Sequence, residues 1–196
     1  MPKLLYQGHG SFRIRTENDK VIYVDPFAGE GYDLPADLVL VTHQHSDHNQ
    51  INMIVQKPEC KVITNEEALA GGKRNSFSIE GIEINAVEAK NLTHSPQKCV
   101  GYILSVDGIK IYAAGDTSKT RQMETFPEEK LEYALLPCDG VFNMGVKEAA
   151  ECAKVIGAKH NIPIHVKPGK LFDRKRAEKF NGPNRLIIEP GEEITL

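Results

Sequence analysis

The chain has 196 residues, 40% of them hydrophobic, enough for one domain with a continuous core. Its 24 Lys and Arg against 27 Asp and Glu leave a formal charge of −3, with no run of basic residues to follow a phosphate backbone, which argues against nucleic acid as a primary partner. No apolar run approaches the roughly 20 residues that cross a bilayer, and the first eight residues hold no signal-like apolar core, so a soluble cytoplasmic protein is expected.

In chain order, residues 12–16 and 21–24 are β-rich and flank Glu17-Asn18-Asp19-Lys20, a hairpin signal. Residues 38–41, Leu-Val-Leu-Val, read as a buried strand; residues 61–64 read as another, followed by a helical pattern over 65–70. Residues 77–79 and 82–84 form a strand pair turning at Glu80-Gly81. Residues 100–106 and 109–113 flank Asp107-Gly108, the dipeptide favoured where a tight turn needs positive φ. Strand patterns over 133–136 and 162–164 alternate with helical ones over 146–156 and 172–180, and a last strand is expected over 185–189. In the first of these helices Val146, Ala149, Ala150, Ala153 and Ile156 fall on one stripe and Gly157 supplies the stop. The pattern predicts an α/β protein in which strands dominate and helices lie outside. The two halves share the order hairpin, metal-rich loop, strand, helix, without a sequence repeat. No linker marks a boundary, so residues 1–196 are expected to form a single domain. Cys60, Cys99, Cys138 and Cys152 are widely spaced and form no Cys-x-x-Cys pair, which leaves them as small buried hydrophobes rather than disulfides or zinc thiolates.

The chemistry is concentrated in Thr42-His43-Gln44-His45-Ser46-Asp47-His48, four metal donors in six residues at the end of a strand. His43 and His45 differ by two, so an extended backbone sends both to one side. Asp47 and His48 lie beyond, where a helix can begin and serve a second centre. The plain alternative is a polar loop of solvated histidines, but three of the seven histidines in the chain fall inside these six positions. A two-metal centre needs further donors at strand ends. His94, Asp116 and His165 all sit at the C-terminal edges of expected strands. His160 competes with His165, five positions away on the opposite side of one strand; His165 is favoured because it ends the strand after Pro163, whereas His160 follows the helix and packs there. His9 either approaches the pocket or is structural. Asp25 either orients a ligating imidazole or forms a turn before Pro26. Asn143 is read as a cap for the helix near residue 146 rather than a substrate contact. Lys119, Arg121 and Lys167 are read as ordinary surface charges, not as contacts to an anion.

The order His-x-His-x-Asp-His, then His, then Gly-Asp-Thr, then Pro-x-His resembles the metallo-β-lactamase superfamily over nearly the whole chain. Gly8-His9-Gly10-Ser11-Phe12, Val24-Asp25-Pro26-Phe27, Ile111-Tyr112-Ala113-Ala114-Gly115-Asp116-Thr117 and Phe142-Asn143-Met144-Gly145 are most similar to the branch that contains L-ascorbate-6-phosphate lactonase and small metal-dependent hydrolases. The resemblance implies a four-layer αββα sandwich. It implies that His43, His45 and His94 hold one metal, that Asp47, His48 and His165 hold the other, and that Asp116 bridges them. Zinc is the default for two divalent ions in so nitrogen-rich a set, although manganese, iron or nickel fits the same donors. The implied activity is hydrolysis of an ester, lactone or phosphodiester bond in a small-molecule substrate by a bridging hydroxide, with Asp47 or Asp116 accepting the proton. Whether the chain forms a homo-oligomer is left open. A di-iron oxidoreductase of the same scaffold would carry Glu where this chain has His45, together with an attached flavin domain. An RNA-processing nuclease would carry an inserted domain where residues 117–164 already supply a strand and a helix. A metal-binding protein without catalysis fits the intact donor set less well.

Overall fold

The computed structural model describes residues 1–196 and lays twelve strands into two six-stranded sheets packed face to face. The first sheet holds β1 (Lys3–Gly8), β2 (Ser11–Arg15), β3 (Val21–Val24), β4 (Ala36–Leu40) and β5 (Gln56–Ile63). The second holds β6 (Ser76–Ile79), β7 (Ile82–Glu88), β8 (Val100–Val106), β9 (Ile109–Ala113), β10 (Tyr133–Pro137) and β11 (His160–Ile164), and β12 (Glu193–Thr195) returns to the first sheet beside β1. In each half three consecutive strands run antiparallel and two more join in parallel: β1-β2-β3 then β4 and β5, β7-β8-β9 then β10 and β11. The likeness of the halves in the sequence is therefore a likeness of connectivity.

Side chains alternate between two environments, as the pleat requires. Ile22 and Val24 of β3 and Leu38 and Leu40 of β4 enter a core of 25 buried residues between the sheets, where they meet Ile84, Tyr102, Leu104, Ile111, Leu135 and Ile162. Outside the second sheet, Ile103, Tyr112, Ala134 and Leu136 are covered by α2 (Val146–Ile156), whose stripe is the expected one. Gly157 ends α2 at φ 70° and returns its N–H to the carbonyl of Ala153. Beside α2 a 3-10 segment, Arg121–Glu129, inserts Met123 and Phe126.

The outer face of the first sheet is covered more thinly. Val21, Tyr23, Val39 and Val41 meet Ile54 with Tyr32, Leu34 and Ile51, and no long helix lies over them. The helix expected to begin at Asp47 does not form: His48 N–H turns back to the carbonyl of His45, and one 3-10 turn follows at Ile51–Met53. The amides there bond locally instead, Asn49 to Gln44 and Gln50 to the carbonyl of Ser46.

Three further expectations are corrected. The pattern over 172–180 gives only α3 (Arg174–Ala177), N-capped by Asp173, because Phe172 and Phe180 are drawn into the core on either side of it. Residues 185–189 do not form a strand: an isolated bridge joins Arg185 to Asn161, and sheet pairing resumes only after Pro190 and Gly191, in β12. Cys60 is only half-buried, while Cys99, Cys138 and Cys152 are buried and free as expected. The helical pattern over 65–70 is α1 (Asn65–Ala68), opened by a capping box between Thr64 and Glu67. No helix is long and apolar enough to cross a membrane.

Candidate metal centre

Parallel strands end at a common rim, and a polar residue just past each end points into the space between the sheets. Asp25 follows β3, Thr42 and His43 follow β4, Asp116 follows β9, Asp139 follows β10 and His165 follows β11. His94 comes from the loop between β7 and β8. Gly115 lets the Asp116 loop approach β4: it sits at φ 61°, and a Cβ there would lie 2.8 Å from the Cβ of Thr42.

These elements bring the seven expected donors together. Asp116 Oδ1 lies 3.3 Å from His48 Nε2 and 3.4 Å from His165 Nε2, and its Oδ2 lies 3.9 Å from His43 Nε2. His94 Nε2 lies 3.1 Å from His45 Nδ1. The donors fall into three overlapping groups with atoms within 4.8 Å of one another: His43, His45 and His94; His43, His48 and Asp116; and Asp47, His48 and His165 with His9. His43, His48, His94, Asp116 and His165 are buried, His45 is exposed and Asp47 is partly exposed at the rim.

Buried polar atoms without partners are costly, and this cluster concentrates them: His43 Nε2, His48 Nε2, His94 Nδ1, Asp116 Oδ1 and His165 Nε2 have no hydrogen-bond partner. Such a set of imidazole and carboxylate donors fits a divalent transition ion. Burial pushes His43 down to about 2, helped by the neighbouring His48 and opposed by Asp116. Burial acts to raise the Asp116 carboxyl, but His48, His165 and His43 hold it well below the usual carboxylate range. Burial likewise opposes charge on His48, yet Asp116 and Asp25 together raise it well above the ordinary imidazole value.

A ring of supporting residues fixes the donors. Asp25 accepts the Thr42 N–H at 2.7 Å, the Thr42 hydroxyl at 2.7 Å and His48 Nδ1 at 2.8 Å, so the orienting role is the one it plays. Asp25 and Asp116 follow corresponding strands of the two halves and face opposite nitrogens of the His48 ring. Asp139, which no sequence motif marks, accepts the N–H groups of Val141 and Phe142 and the amide of Asn143, and its Oδ2 stands 3.1 Å from His165 Nδ1. Its signal was available: Asp139 occupies the end of β10, the counterpart of β4. Burial opposes its ionisation, but His165 and the turn amides hold it down at about 2. Asn143 does not cap α2, whose N-cap is Gly145; it joins Asp139 to Asn91, which in turn holds the His94 N–H at 2.8 Å.

His9 is fully buried, with Nε2 3.1 Å from Asp47 Oδ2, Nδ1 3.1 Å from the Lys170 carbonyl and its ring centroid 3.7 Å from that of His165. His9, Asp25 and His165 hold φ values of 56°, 47° and 44°, left-handed backbone that costs a non-glycine residue about 1–3 kcal/mol. His160 is at the far end of β11, stacked on Tyr133 at 5.1 Å. Replacing His165 by Ala is expected to lower bound metal sharply, and His160→Ala to leave it intact; equal metal content in the two variants, measured by mass spectrometry of the elements, refutes the choice between them. Lys167 pairs with Asp173, and Lys119 and Arg121 are exposed, as surface charges should be.

Residues 3–165 match the family model described as a beta-lactamase superfamily domain, and the chain belongs to that superfamily. It is 31% identical to the UPF0173 metal-dependent hydrolase of Pyrococcus furiosus and 30% identical to that of Thermococcus onnurineus, in both cases over 100% of either chain. The chain is thus a member of the UPF0173 metal-dependent hydrolase family. Igni18, a metallo hydrolase of Ignicoccus hospitalis, shares the fold with a TM-score of 0.76 at 22% identity, covering 98% of this chain and 97% of that one.

Proposed function

We propose that this chain hydrolyses an ester, lactone or phosphodiester bond of a small molecule with two divalent metal ions, zinc by default, held by His43, His45 and His94 on one side and Asp47, His48 and His165 on the other, with Asp116 between them. One observation carries the reading: at the rim of both sheets the buried, unpartnered Oδ1 of Asp116 lies 3.3 Å from the unpartnered Nε2 of His48 and 3.4 Å from that of His165, and its Oδ2 lies 3.9 Å from the unpartnered Nε2 of His43. When bound, such ions supply Lewis-acid polarisation of the bond under attack and acidify water near neutral pH. The protein contributes the rest. Asp25 bonds His48 Nδ1, which favours the tautomer that leaves Nε2 free to ligate, and Asp139 stands 3.1 Å from His165 Nδ1, where it favours the same tautomer of that ring. Asp47 stands at the rim, held by His9, where its carboxylate can take the proton that the attacking water gives up. Phe142 and Pro168 line a cavity of about 280 Å³ over Asp116 and His165, which restricts bulk water at the reacting bond.

The lactone is kept within this set because of the sequence resemblance to the ascorbate-6-phosphate lactonase branch. The test is elemental analysis of purified, reloaded protein, followed by a panel of lactones, esters and phosphodiesters with each divalent ion. About two ions per chain and metal-dependent turnover of a panel member are expected. Protein that retains no transition metal, or iron-to-ligand absorption bands accompanied by electron transfer without hydrolysis, overturns the reading.

A further inference from the structure

Beside the metal centre lies a cavity of about 570 Å³ that reaches from His43, His45 and His94 past Gln44 and Asn65 to Gln97 and Lys98. It shares Leu69 and Gln97 with a second cavity of about 300 Å³ that carries Lys73 and Arg74. Together they make a groove leading away from the reacting centre, of a size that holds a small-molecule arm.

What the groove can bind follows from the hydrogen-bonding capacity it has left. Gln44 is engaged at both ends: its amide donates to Asn65 and its carbonyl accepts from Asn49. Asn65 is engaged in the same way, its carbonyl accepting from Gln44 and its amide donating to the Lys98 carbonyl. The Thr93 hydroxyl donates to Asn91. Gln97 accepts from Ser95 through Oε1, which leaves its NH₂ free. Lys98, Lys73 and Arg74 are exposed and enter none of the ion pairs of the chain, while Glu88, the acid beside Arg74, is already opposite Lys90. The amides that line the groove can both donate and accept, so its bias comes from charge: three unpaired cations, Lys98, Lys73 and Arg74, against the single free carboxylate of Glu66. In a chain of net charge −3 this is a local inversion of sign at the mouth of the site.

We infer that the groove is a subsite for an anionic group, a phosphate or a carboxylate, on the non-reacting arm of the substrate, with Lys98 as the specificity-determining residue nearest the histidines. This rests on the hydrolase reading for its catalytic consequence but not for binding. A charge-assisted contact to such a group, with Arg74 and the Gln97 amide alongside, raises kcat/KM for the anionic substrate over its neutral analogue.

The experiment compares esters that differ only in that arm, neutral, carboxylated or phosphorylated, on the native protein, Lys98→Met, Lys98→Arg and Arg74→Gln. In parallel, inorganic phosphate and glutarate are titrated into the full chain while the backbone amides of residues 73–74 and 97–98 are followed by NMR. The native protein should prefer a charged arm. Lys98→Met should raise KM for it about tenfold, with a much smaller change in kcat, and Lys98→Arg should restore the preference. The better of the two charged arms identifies the anion. Equal kcat/KM for charged and neutral arms, a preference unchanged in Lys98→Met, or tighter binding of a short RNA than of any small anion overturns the inference. If no ester is hydrolysed but the anion shifts these amides in the native protein and not in Lys98→Met, the subsite stands and the hydrolase reading falls.

Discussion

Asp116→Ala is expected to give a folded chain with much less bound metal and hydrolysis reduced about 1000-fold or more. The carboxylate faces His48, His165 and His43 at 3.3, 3.4 and 3.9 Å, and it is the only acid common to both halves of the cluster. Removing it takes away a donor and the negative charge that offsets the positive charge gathered there. Folding should survive, because His48 keeps its bond to Asp25 and Gly115, which lets the loop approach Thr42, is untouched. Circular dichroism, metal content and turnover read together decide the matter. Unchanged activity, or full metal content in the variant, rejects the bridging assignment.

Asp25→Ala should instead damage stability. Its carboxylate is 1% exposed and accepts three hydrogen bonds, so the truncation strands the Thr42 N–H and hydroxyl and the His48 Nδ1–H in the interior. A loss of about 3–5 kcal/mol is expected, which lowers Tm by roughly 10 °C in a chain of this size. Asp25→Asn separates structure from chemistry. The amide can still accept from the Thr42 N–H, but an NH₂ facing His48 Nδ1 turns that nitrogen into an acceptor and puts the proton on Nε2, where it blocks ligation. The Asn variant should therefore melt well above the Ala variant yet retain less metal than the native protein. If Asp25→Asn binds metal fully and Asp25→Ala melts within a degree of native, Asp25 is an ordinary turn residue.

Much of the site was legible because its signal is chemical and local. The His43 to His48 run announces itself by composition, and His94, Asp116 and His165 stand at strand ends that turn signals bracket. The Asp107-Gly108 hairpin was equally direct, and both residues do adopt positive φ, 49° and 80°. What escaped depends on partners distant in sequence. β1 carries no strand signal in the sequence because Leu4, Leu5, Tyr6 and Gln7 are buried on both faces and show no alternation. Asp139 looks like any aspartate before a glycine until β11 brings His165 against it. Helical periodicity over 172–180 was real but was shared between packing sites, so Phe172 and Phe180 anchor an irregular segment around one turn of helix. The helix expected at Asp47 failed for the opposite reason, since Asp47 and His48 turn inward to partners on β1 and β3 loops.

The division of the donors between the two sheets carries a mechanical corollary. His43, His45, Asp47 and His48 hang from one jaw of the sandwich, and His94, Asp116 and His165 from the other, so their spacing is set by how tightly the jaws close on Leu104, Leu135 and their neighbours. Hollowing out that hinge-like filling, far from any imidazole, would be felt at the rim as a gap of wrong width.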